Sequence, residues 1–269
     1  MATVKKAMGV LLLCIALTIP AISQTGNPWK GKKCAVVLTY DDGLDVHITN
    51  ALPALDSLGL KATFYIANYN GKLQSQIPGW RAAAAKGHEL ANHTIFHPCE
   101  GGRAGREFVS ADYDLNNYSM RRITNEIRAM NAMLFAIDGK TNRTFAFPCG
   151  DNKVHDTAYI DSLHKEFIAA RGVSATIPTI DKVNLYDFPA YGVFNHSGEA
   201  MIQWVKEAED KQGLLVILFH GVGGEHDLNV SLPAHSQLLH YLKQHEKEIW
   251  VAPLVEVAGF IKELQGKGK

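Results

Sequence analysis

Acidic and histidine side chains stand at the ends of apolar runs in this chain of 269 residues. Asp41 and Asp42 end the run "CAVVLTYDD", and His220 ends the run "LLVILFH". His93 and His97 lie four residues apart in "GHELANHTIFHP". Two imidazoles and one carboxylate suit zinc or a similar divalent ion, and three protein ligands leave a coordination position open for chemistry. These residues predict a catalytic metal site; the alternative is that they are ordinary surface or core residues among the twelve histidines of the chain.

The adjacent carboxylates of Asp41 and Asp42 carry an electrostatic cost, because like charges this close raise each other's pKa. A cation bound to one of them would neutralise that charge locally. The other would then stay ionised and act as a general base on metal-bound water. The alternative is that "DDG" forms a solvated turn with no chemical role.

Strands and helices alternate along the chain, which places these residues at strand ends. Apolar and β-branched runs predict strands at 34–40, 62–67, 89–93, 144–147, 167–170, 214–219 and 249–252. Helical patterns predict helices at 46–58, 79–86, 120–137, 157–164, 199–211, 232–246 and 254–264. This order predicts a parallel sheet in a single barrel-like α/β domain, whose functional residues lie at the carboxyl ends of the strands. The segment 98–118 is long for a barrel loop, which is typical of functional or disordered loops.

Charge and the amino terminus limit the partners and the location of the protein. Lys+Arg and Asp+Glu both number 27, whereas nucleic-acid-binding proteins usually carry a basic excess, so we predict no nucleic-acid partner. Lys5 and Lys6 precede a short apolar run, which predicts a signal peptide at 1–23 with cleavage after Ser23. That run is shorter than the ~20 residues that span a bilayer. We therefore expect an exported protein, periplasmic or secreted, with no stable membrane span after cleavage.

Three cysteines remain after the predicted cleavage, at Cys34, Cys99 and Cys149. Exported proteins tolerate disulfides. Cys34 lies within an apolar strand and is expected to be a buried core thiol, which leaves Cys99 and Cys149 as the candidate disulfide. The alternative is that these two thiols act as additional metal ligands.

Three motifs resemble those of the NodB-type polysaccharide deacetylases, also called carbohydrate esterase family 4. They are "TYDDG" at 39–43, "GHELANHTIFH" at 87–97 and "LFHG" at 218–221. The run "ATFYI" at 62–66 is similar to the second strand of that family. The resemblance implies a distorted (β/α)7 barrel in a single catalytic domain at 24–269, and metal-dependent removal of acetyl groups from a carbohydrate polymer or oligomer.

Matching motif positions implies a role for each site residue. Asp41 would be the general base, and His220 would be the general acid that protonates the leaving group. Leu218 would line the pocket for the acetyl methyl group, and the backbone N–H of Cys149 would stabilise the oxyanion. The metal would be zinc, with cobalt, nickel or manganese as alternatives. Its ligands would be Asp42, His93 and His97.

The third motif departs from the family pattern, which usually reads Arg-x-Pro-aromatic-Gly. The matching stretch is "AFPCG" at 146–150, so Ala146 stands where an arginine normally keeps the base ionised, and Cys149 replaces the aromatic residue. Arg171, at the end of the fifth predicted strand, is our candidate for supplying this charge to Asp41. Arg143 is the alternative.

The family's fourth motif, an Asp-Trp element that orients the acid histidine, is not evident. Asp187 is the candidate substitute, and Asp151 is a second polar candidate near the site. We expect His226 and His235 to be surface histidines, and the alternative is that they lie near the site. A bridge between Cys99 and Cys149 would attach the long loop to the barrel and fix the backbone that carries the oxyanion donor.

The motifs leave the substrate open between N-acetylated glycans, such as chitin-like oligomers or peptidoglycan, and O-acetylated polysaccharides of the xylan type. Two further functions also stay open. One is a catalytically reduced, carbohydrate-binding barrel, and the other is a metal hydrolase that acts on another amide. No pattern indicates the oligomeric state.

Overall fold

The computed structural model describes residues 27–267, so the predicted signal peptide at 1–23 lies outside the described residues. Within that range, no helix is long and apolar enough to cross a bilayer. The strands of the main sheet are β1 (Cys34–Asp41), β2 (Thr63–Ile66), β3 (Glu89–Asn92), β4 (Thr144–Ala146), β5 (Ala169–Arg171), β6 (Tyr191–Gly192), β7 (Leu214–Phe219) and β8 (Ile249–Val251). The α-helices are α1 (Leu52–Ser57), α2 (Leu73–Ala85), α3 (Met120–Asp138), α4 (Gly198–Lys211), α5 (Leu232–Gln244) and α6 (Leu254–Lys267).

The eight strands form one parallel sheet that curls into a distorted barrel. The strand order is β5-β4-β3-β2-β1-β7-β6, and β8 pairs with the first part of β1. The two edges approach each other, because Phe188, just before β6, forms a bridge with Arg171 in β5. The predicted single α/β domain is confirmed, and Cys34 at the start of β1 is a buried free thiol, as predicted.

Alternation along β1 decides which of its side chains enter the barrel. Val36 and Leu38 pack in an outer cluster that includes side chains of α1, α2, α4 and α5. Ala35 and Val37 pack in an inner cluster, which α6 covers. Because successive side chains of a strand point to opposite faces, Asp41 follows Ala35 and Val37 into the interior. Every residue of β1 is buried, as expected for a parallel strand covered on both faces.

A buried carboxylate connects three strands to α6. Glu89 in β3 accepts hydrogen bonds from the hydroxyl of Thr63 in β2 (2.7 Å) and from the N–H and the hydroxyl of Thr144 in β4 (both 2.8 Å). It also accepts a hydrogen bond from the N–H of Val255, in the first turn of α6 (2.9 Å). Burial raises the pKa of Glu89, and these hydrogen bonds offset part of that rise.

Replacing Glu89 with alanine is expected to lower the free energy of unfolding by about 3 kcal/mol, because it leaves several buried donors without an acceptor. Chemical denaturation would measure the loss. The matched control is Glu263→Ala, at an exposed position of α6, with an expected change below about 0.5 kcal/mol. Equal stability of Glu89→Ala and the wild type would contradict the assigned role.

The helix predicted at 157–164 is wrong. Thr157–Ala158 pairs with Lys153–Val154 as a short antiparallel hairpin, and a 3-10 turn covers Tyr159–Ser162. The hydroxyl of Tyr159 donates to the carbonyl of Asp151 (2.7 Å). These pairings outside the segment outweigh its helical pattern, since local propensity is a weak influence beside tertiary contacts.

The second helix begins earlier than predicted. α2 starts at Leu73 and continues through Pro78, whereas the predicted helix starts at Gly79. A Cβ atom at Gly79 would lie 2.9 Å from the side chain of Ile48, in the π-helical turn His47–Ala51. The glycine therefore permits close packing of α2 against this turn.

The sheet also includes β6, which was not among the predicted strands. Its two residues are too few to show the alternation of apolar and polar side chains that indicates a strand.

Candidate active site

The predicted site residues come from the carboxyl ends of parallel strands, which meet at one end of the barrel. Asp41 is the last residue of β1, His93 follows β3, and His220 follows β7. Arg171 is the last residue of β5. A cavity of about 910 Å³ lies at this end. Its wall includes Asp41, Asp42, His93, His97, Leu218 and His220.

Asp42, His93 and His97 point their ligand atoms at one another. Asp42 Oδ1 lies 3.7 Å from His93 Nε2 and 3.4 Å from His97 Nε2. His93 Nδ1 donates to the carbonyl of Ala146 (2.9 Å), which leaves the Nε2 lone pair facing Asp42. Burial lowers the pKa of His93 to about 3 and that of His97 to about 4. Both rings are therefore neutral at pH 7, as metal ligation requires.

These residues fit a divalent cation. The Oδ1 atoms of Asp41 and Asp42 are buried and accept no hydrogen bond from any residue in 27–267, which is costly for a carboxylate that lacks another positive partner. Burial raises the pKa of Asp42 to about 6; His220 opposes that rise, and Asp41 adds to it. One carboxylate and two neutral imidazoles form a donor set that zinc takes in catalytic sites.

The loop that carries His97 has an uncommon backbone conformation. Thr94 and His97 have φ angles of 63° and 52°, in the left-handed region that non-glycine residues seldom adopt. Glu126 of α3 holds the loop by accepting hydrogen bonds from the N–H groups of Ile95 (3.2 Å) and Phe96 (2.9 Å). Strained backbone that the surrounding structure fixes in this way is typical of functional sites.

Asp41 is paired with a buried guanidinium. Arg171 Nη2 donates to Asp41 Oδ2, and Arg171 is fully buried. Burial on its own would raise the pKa of Asp41, but Arg171, followed by His93 and His220, outweighs burial and holds that pKa below its ordinary value. Asp41 is therefore ionised at neutral pH, the state that a general base needs.

Arg171 stands on the strand next to the position where the family pattern has its arginine. Ala146 in β4 and Arg171 in β5 are direct partners in the parallel register. The small side chain of Ala146, which packs in the inner cluster, leaves room beside it for the guanidinium. The alternative source of charge, Arg143, is wrong, because it pairs with Asp138 (3.0 Å) and donates to the carbonyl of Leu90 (2.6 Å).

His220 faces the other carboxylate oxygen of Asp42. Its Nε2 lies 4.0 Å from Asp42 Oδ2. Burial lowers the pKa of His220, and the carboxylates of Asp41 and Asp42 oppose part of that change.

Cys149 has a φ of 56°, and its backbone N–H donates no hydrogen bond to another described residue. Cys149 is one of the residues that line the cavity.

A disulfide joins Cys99 and Cys149, as predicted, so these sulfurs are not free thiolate ligands. The bridge connects residues 50 apart, which corresponds to about 4 kcal/mol by chain-entropy reasoning. Arg106 adds a second attachment by donating to Asp151 (2.7 Å) and to the carbonyl of Cys149 (3.1 Å). Loop 98–118 is thereby fixed to the third motif and forms one wall of the cavity.

His226 lies near the site, which is the alternative to a surface position, whereas the surface position expected for His235 is wrong. His226 lines the cavity, with its Nε2 3.9 Å from Asp42 Oδ2. His235 is buried, and its Nε2 lies 2.7 Å from the hydroxyl of Tyr40. Asp187, the candidate for orienting His220, is exposed and makes neither a hydrogen bond nor an ion pair with it among the described residues. The signal for His226 was the glycine-rich turn "GVGG" after His220, which lets the chain reverse toward the site.

His47 is a buried residue at the site that carries no sequence signal. Its Nδ1 accepts a hydrogen bond from the N–H of Leu44 (3.2 Å), so its Nε2–H donates to the carbonyl of His220 (2.7 Å). Burial lowers the pKa of His47 to about 4, which keeps it neutral. His47 therefore holds the backbone of His220, a contact that depends on the π-helical turn and on no motif.

Four exposed aromatic residues, which we call the aromatic wall, line the cavity. They are Tyr69, Phe96, Phe108 and Tyr113. The rings of Phe96 and Tyr113 stack, with centroids 5.3 Å apart and planes inclined by 20°. Phe108 is 67% exposed. Contiguous exposed apolar surface beside a cavity is typical of a ligand-binding groove.

The fold of the protein is similar to that of a solved polysaccharide deacetylase structure. The sequence profile of the polysaccharide deacetylase family matches residues 30–165, half of the chain. The protein belongs to this family, which is also called carbohydrate esterase family 4.

Individual relatives agree with this membership. A chitooligosaccharide deacetylase of Sinorhizobium fredii (strain NBRC 101917 / NGR234) is 38% identical over 82 residues, which cover 30% of this chain and 34% of that protein. The match thus spans about a third of the relative. A Mycobacterium smegmatis protein described as a polysaccharide deacetylase is 15% identical, covering 87% of this chain and 92% of its own, with a TM-score of 0.59. The Xyl-CE4 domain of a multidomain xylanase from the hindgut metagenome of Trinervitermes trinervoides is 19% identical, covering 87% and 91%, with a TM-score of 0.53. At such identities the two structures show the fold alone.

Proposed function

We propose that the protein hydrolyses acetyl groups from a carbohydrate oligomer or polymer at a site that holds a divalent metal. The observation that carries the proposal is that two adjacent acids have different surroundings. Asp41 lies against Arg171, whereas Asp42 lies against His93 and His97. Neighbouring carboxylates whose environments separate their protonation states commonly take different chemical roles. Membership of the polysaccharide deacetylase family supports the same reaction.

Asp42, His93 and His97 would hold the metal. Zinc suits this donor set best, and cobalt, nickel and manganese are the alternatives. When bound, the metal supplies Lewis-acid polarisation of the acetyl carbonyl and lowers the pKa of a water molecule.

The other residues of the site complete the hydrolysis. Asp41, kept ionised by Arg171, takes a proton from the attacking water as the water oxygen bonds to the acetyl carbon. The N–H of Cys149 donates to the oxyanion that develops on the carbonyl oxygen, and Leu218 contacts the acetyl methyl group. His220 acts in its protonated form, which the carboxylates of Asp41 and Asp42 favour. It gives its proton to the leaving nitrogen or oxygen as the bond of that atom to carbon breaks, and acetate and the deacetylated sugar are released.

Acetate release from a panel of glycans tests the proposed function. The panel contains N-acetylated chitin oligomers, peptidoglycan fragments and O-acetylated xylan. We expect acetate from at least one of them, loss of the activity with a chelator, and its return with added zinc or cobalt. Absence of both bound metal and acetate would favour a carbohydrate-binding barrel without catalysis. A metal-dependent activity on an amide without an acetyl group, in the absence of acetate release from the panel, would favour a metal hydrolase of another class.

The aromatic wall supports a substrate longer than one sugar. Sugar rings present apolar C–H faces, which pack well against exposed aromatic rings. Tyr69, Phe96, Phe108 and Tyr113 stand beside the reacting groups on one cavity wall, where they would meet sugars next to the acetylated one. The disulfide and Arg106 attach the loop that carries Phe108 and Tyr113.

Phe108→Ala is expected to raise KM for an acetylated glycan oligomer about 10-fold, because the variant removes an exposed ring that would otherwise stack on the substrate. The effect on 4-nitrophenyl acetate, which has no neighbouring sugar to stack on Phe108, should be much smaller. Steady-state kinetics on both substrates measures this difference. Phe135→Ala is the matched control, since Phe135 is 52% exposed on α3, outside the cavity. Equal effects of Phe108→Ala on the two substrates would contradict a role in binding sugars.

A further inference from the structure

The ring of His220 makes no hydrogen bond within residues 27–267, although the backbone of His220 is fixed. The carbonyl of His220 accepts the hydrogen bond from His47 (2.7 Å). The ring nitrogen Nε2 is 4.0 Å from Asp42 Oδ2, which is too far for a hydrogen bond. The orientation of the ring must therefore come from packing.

The ring of His226 supplies that packing. The rings of His220 and His226 stack, with centroids 4.7 Å apart and planes inclined by 22°. Both rings lie toward Oδ2 of Asp42, with Nε2 atoms at 4.0 and 3.9 Å. His93 and His97 lie toward Oδ1. Asp42 thus separates the metal-ligand pair from a second histidine pair.

His226 is itself held firmly. Its Nδ1 accepts a hydrogen bond from the N–H of Leu228 (2.9 Å), which fixes both the ring and its tautomer. In the neutral ring the hydrogen is then on Nε2, so this nitrogen offers a donor and no ligand lone pair. The loop is closed by the N–H of Gly224 donating to Asn229 (2.9 Å). Glu225 joins the loop to the barrel by accepting from the N–H of Val46 (2.8 Å).

We propose that His226 is a positioning residue that sets the orientation of His220 by stacking on its ring face. The inference rests on the proposed function, in which His220 protonates the leaving group. No acidic side chain in the described part of the chain hydrogen-bonds to the ring of His220, and Asp187 does not reach it. The stacked ring of His226 therefore orients His220, whereas a catalytic histidine is commonly oriented by a hydrogen-bonding partner.

Three variants separate stacking from the other properties of His226. His226→Phe keeps a flat ring and removes the N–H, whereas His226→Ala removes both. We expect His226→Ala to lower kcat on the best glycan about 10- to 100-fold with little change in KM, since a misdirected general acid loses most of its contribution. His226→Phe should recover most of that kcat. His240→Ala, which removes an exposed histidine of α5, is the control and should match the wild type.

Two further measurements keep the inference apart from the proposed function. With 4-nitrophenyl acetate, whose leaving group needs no protonation, His226→Ala should lose less than about threefold in kcat. Crystal structures should show the His220 ring unchanged in His226→Phe and turned in His226→Ala. An unturned ring in His226→Ala, or a His226→Phe variant as slow as His226→Ala, would overturn the inference. A wild type that releases no acetate from any glycan would overturn the proposed function, while the ring orientation in the crystals would still decide this inference.

Discussion

Replacing Arg171 with alanine is expected to lower kcat/KM for acetate release about 10³-fold and to move the acidic limb of the pH–rate profile to higher pH. The largest influence on Asp41 is burial, which raises its pKa, and Arg171 is the largest of the influences that oppose burial. Without the guanidinium the pKa of Asp41 rises, so the base is protonated over more of the working pH range. Activity is lost below that raised pKa and persists above it. A pH series of kcat/KM measures the displacement.

The exchange variant Arg171→Ala/Ala146→Arg provides the sharpest control. Position 146 is the register partner of position 171, and side chains at such paired positions lie next to each other. Placing the arginine at position 146 instead of 171 should restore at least a tenth of the lost activity. It should also return the acidic limb of the pH–rate profile toward lower pH. Arg128→Ala, at an exposed arginine paired with Glu166 (2.8 Å), should leave the profile unchanged. An Arg171→Ala profile that coincides with the wild type would remove Arg171 from the mechanism.

Asp41→Asn and Asp42→Asn are expected to abolish activity for different reasons. Asp41→Asn removes the base, so kcat should fall about 10³-fold or more while the metal content stays near that of the wild type. Asp42→Asn removes a charged ligand, so bound metal and activity should be lost together. Metal analysis of the purified variants, combined with acetate release, distinguishes the two results.

The matched control for this pair is Asp45→Asn. Asp45 lies close in sequence but pairs with Lys72 (2.7 Å), and its side chain is half exposed. Its loss should change neither the metal content nor kcat by more than about threefold. If Asp41→Asn lost its metal as completely as Asp42→Asn, the two aspartates would not have the separate roles that we propose.

Much of the barrel and the strand-end residues could be predicted because both depend on short-range patterns. A buried strand is indicated by an apolar run in the sequence, and Asp41 stands at the end of such a run. The spacing of His93 and His97 is likewise visible along the chain. Arg171 could be singled out as a charge at a strand end. Its pairing with Asp41, however, depends on the register of β4 and β5, which no local pattern encodes.

The site residues that sequence patterns did not identify lie in turns and loops that contact distant parts of the chain. His47 reaches His220 from a π-helical turn, and His226 reaches it from a loop closed by contacts with Val46 and Asn229. The helix predicted at 157–164 is wrong for the same reason, because pairing with Lys153–Val154 outweighs the helical pattern of the segment. Long-range contacts of this kind leave no periodic signal in a single sequence.

The disulfide has a consequence for when the site becomes complete. One of its sulfurs belongs to the residue two positions after His97, and the other belongs to Cys149, which lines the cavity. Oxidation of a single pair of thiols therefore attaches the loop that follows a proposed metal ligand, and that carries Phe108 and Tyr113, to the proposed oxyanion donor in one event. A chain kept reduced would have the barrel without the bridge between Cys99 and Cys149. A chain oxidised only after leaving a reducing compartment would therefore complete the proposed site at its destination.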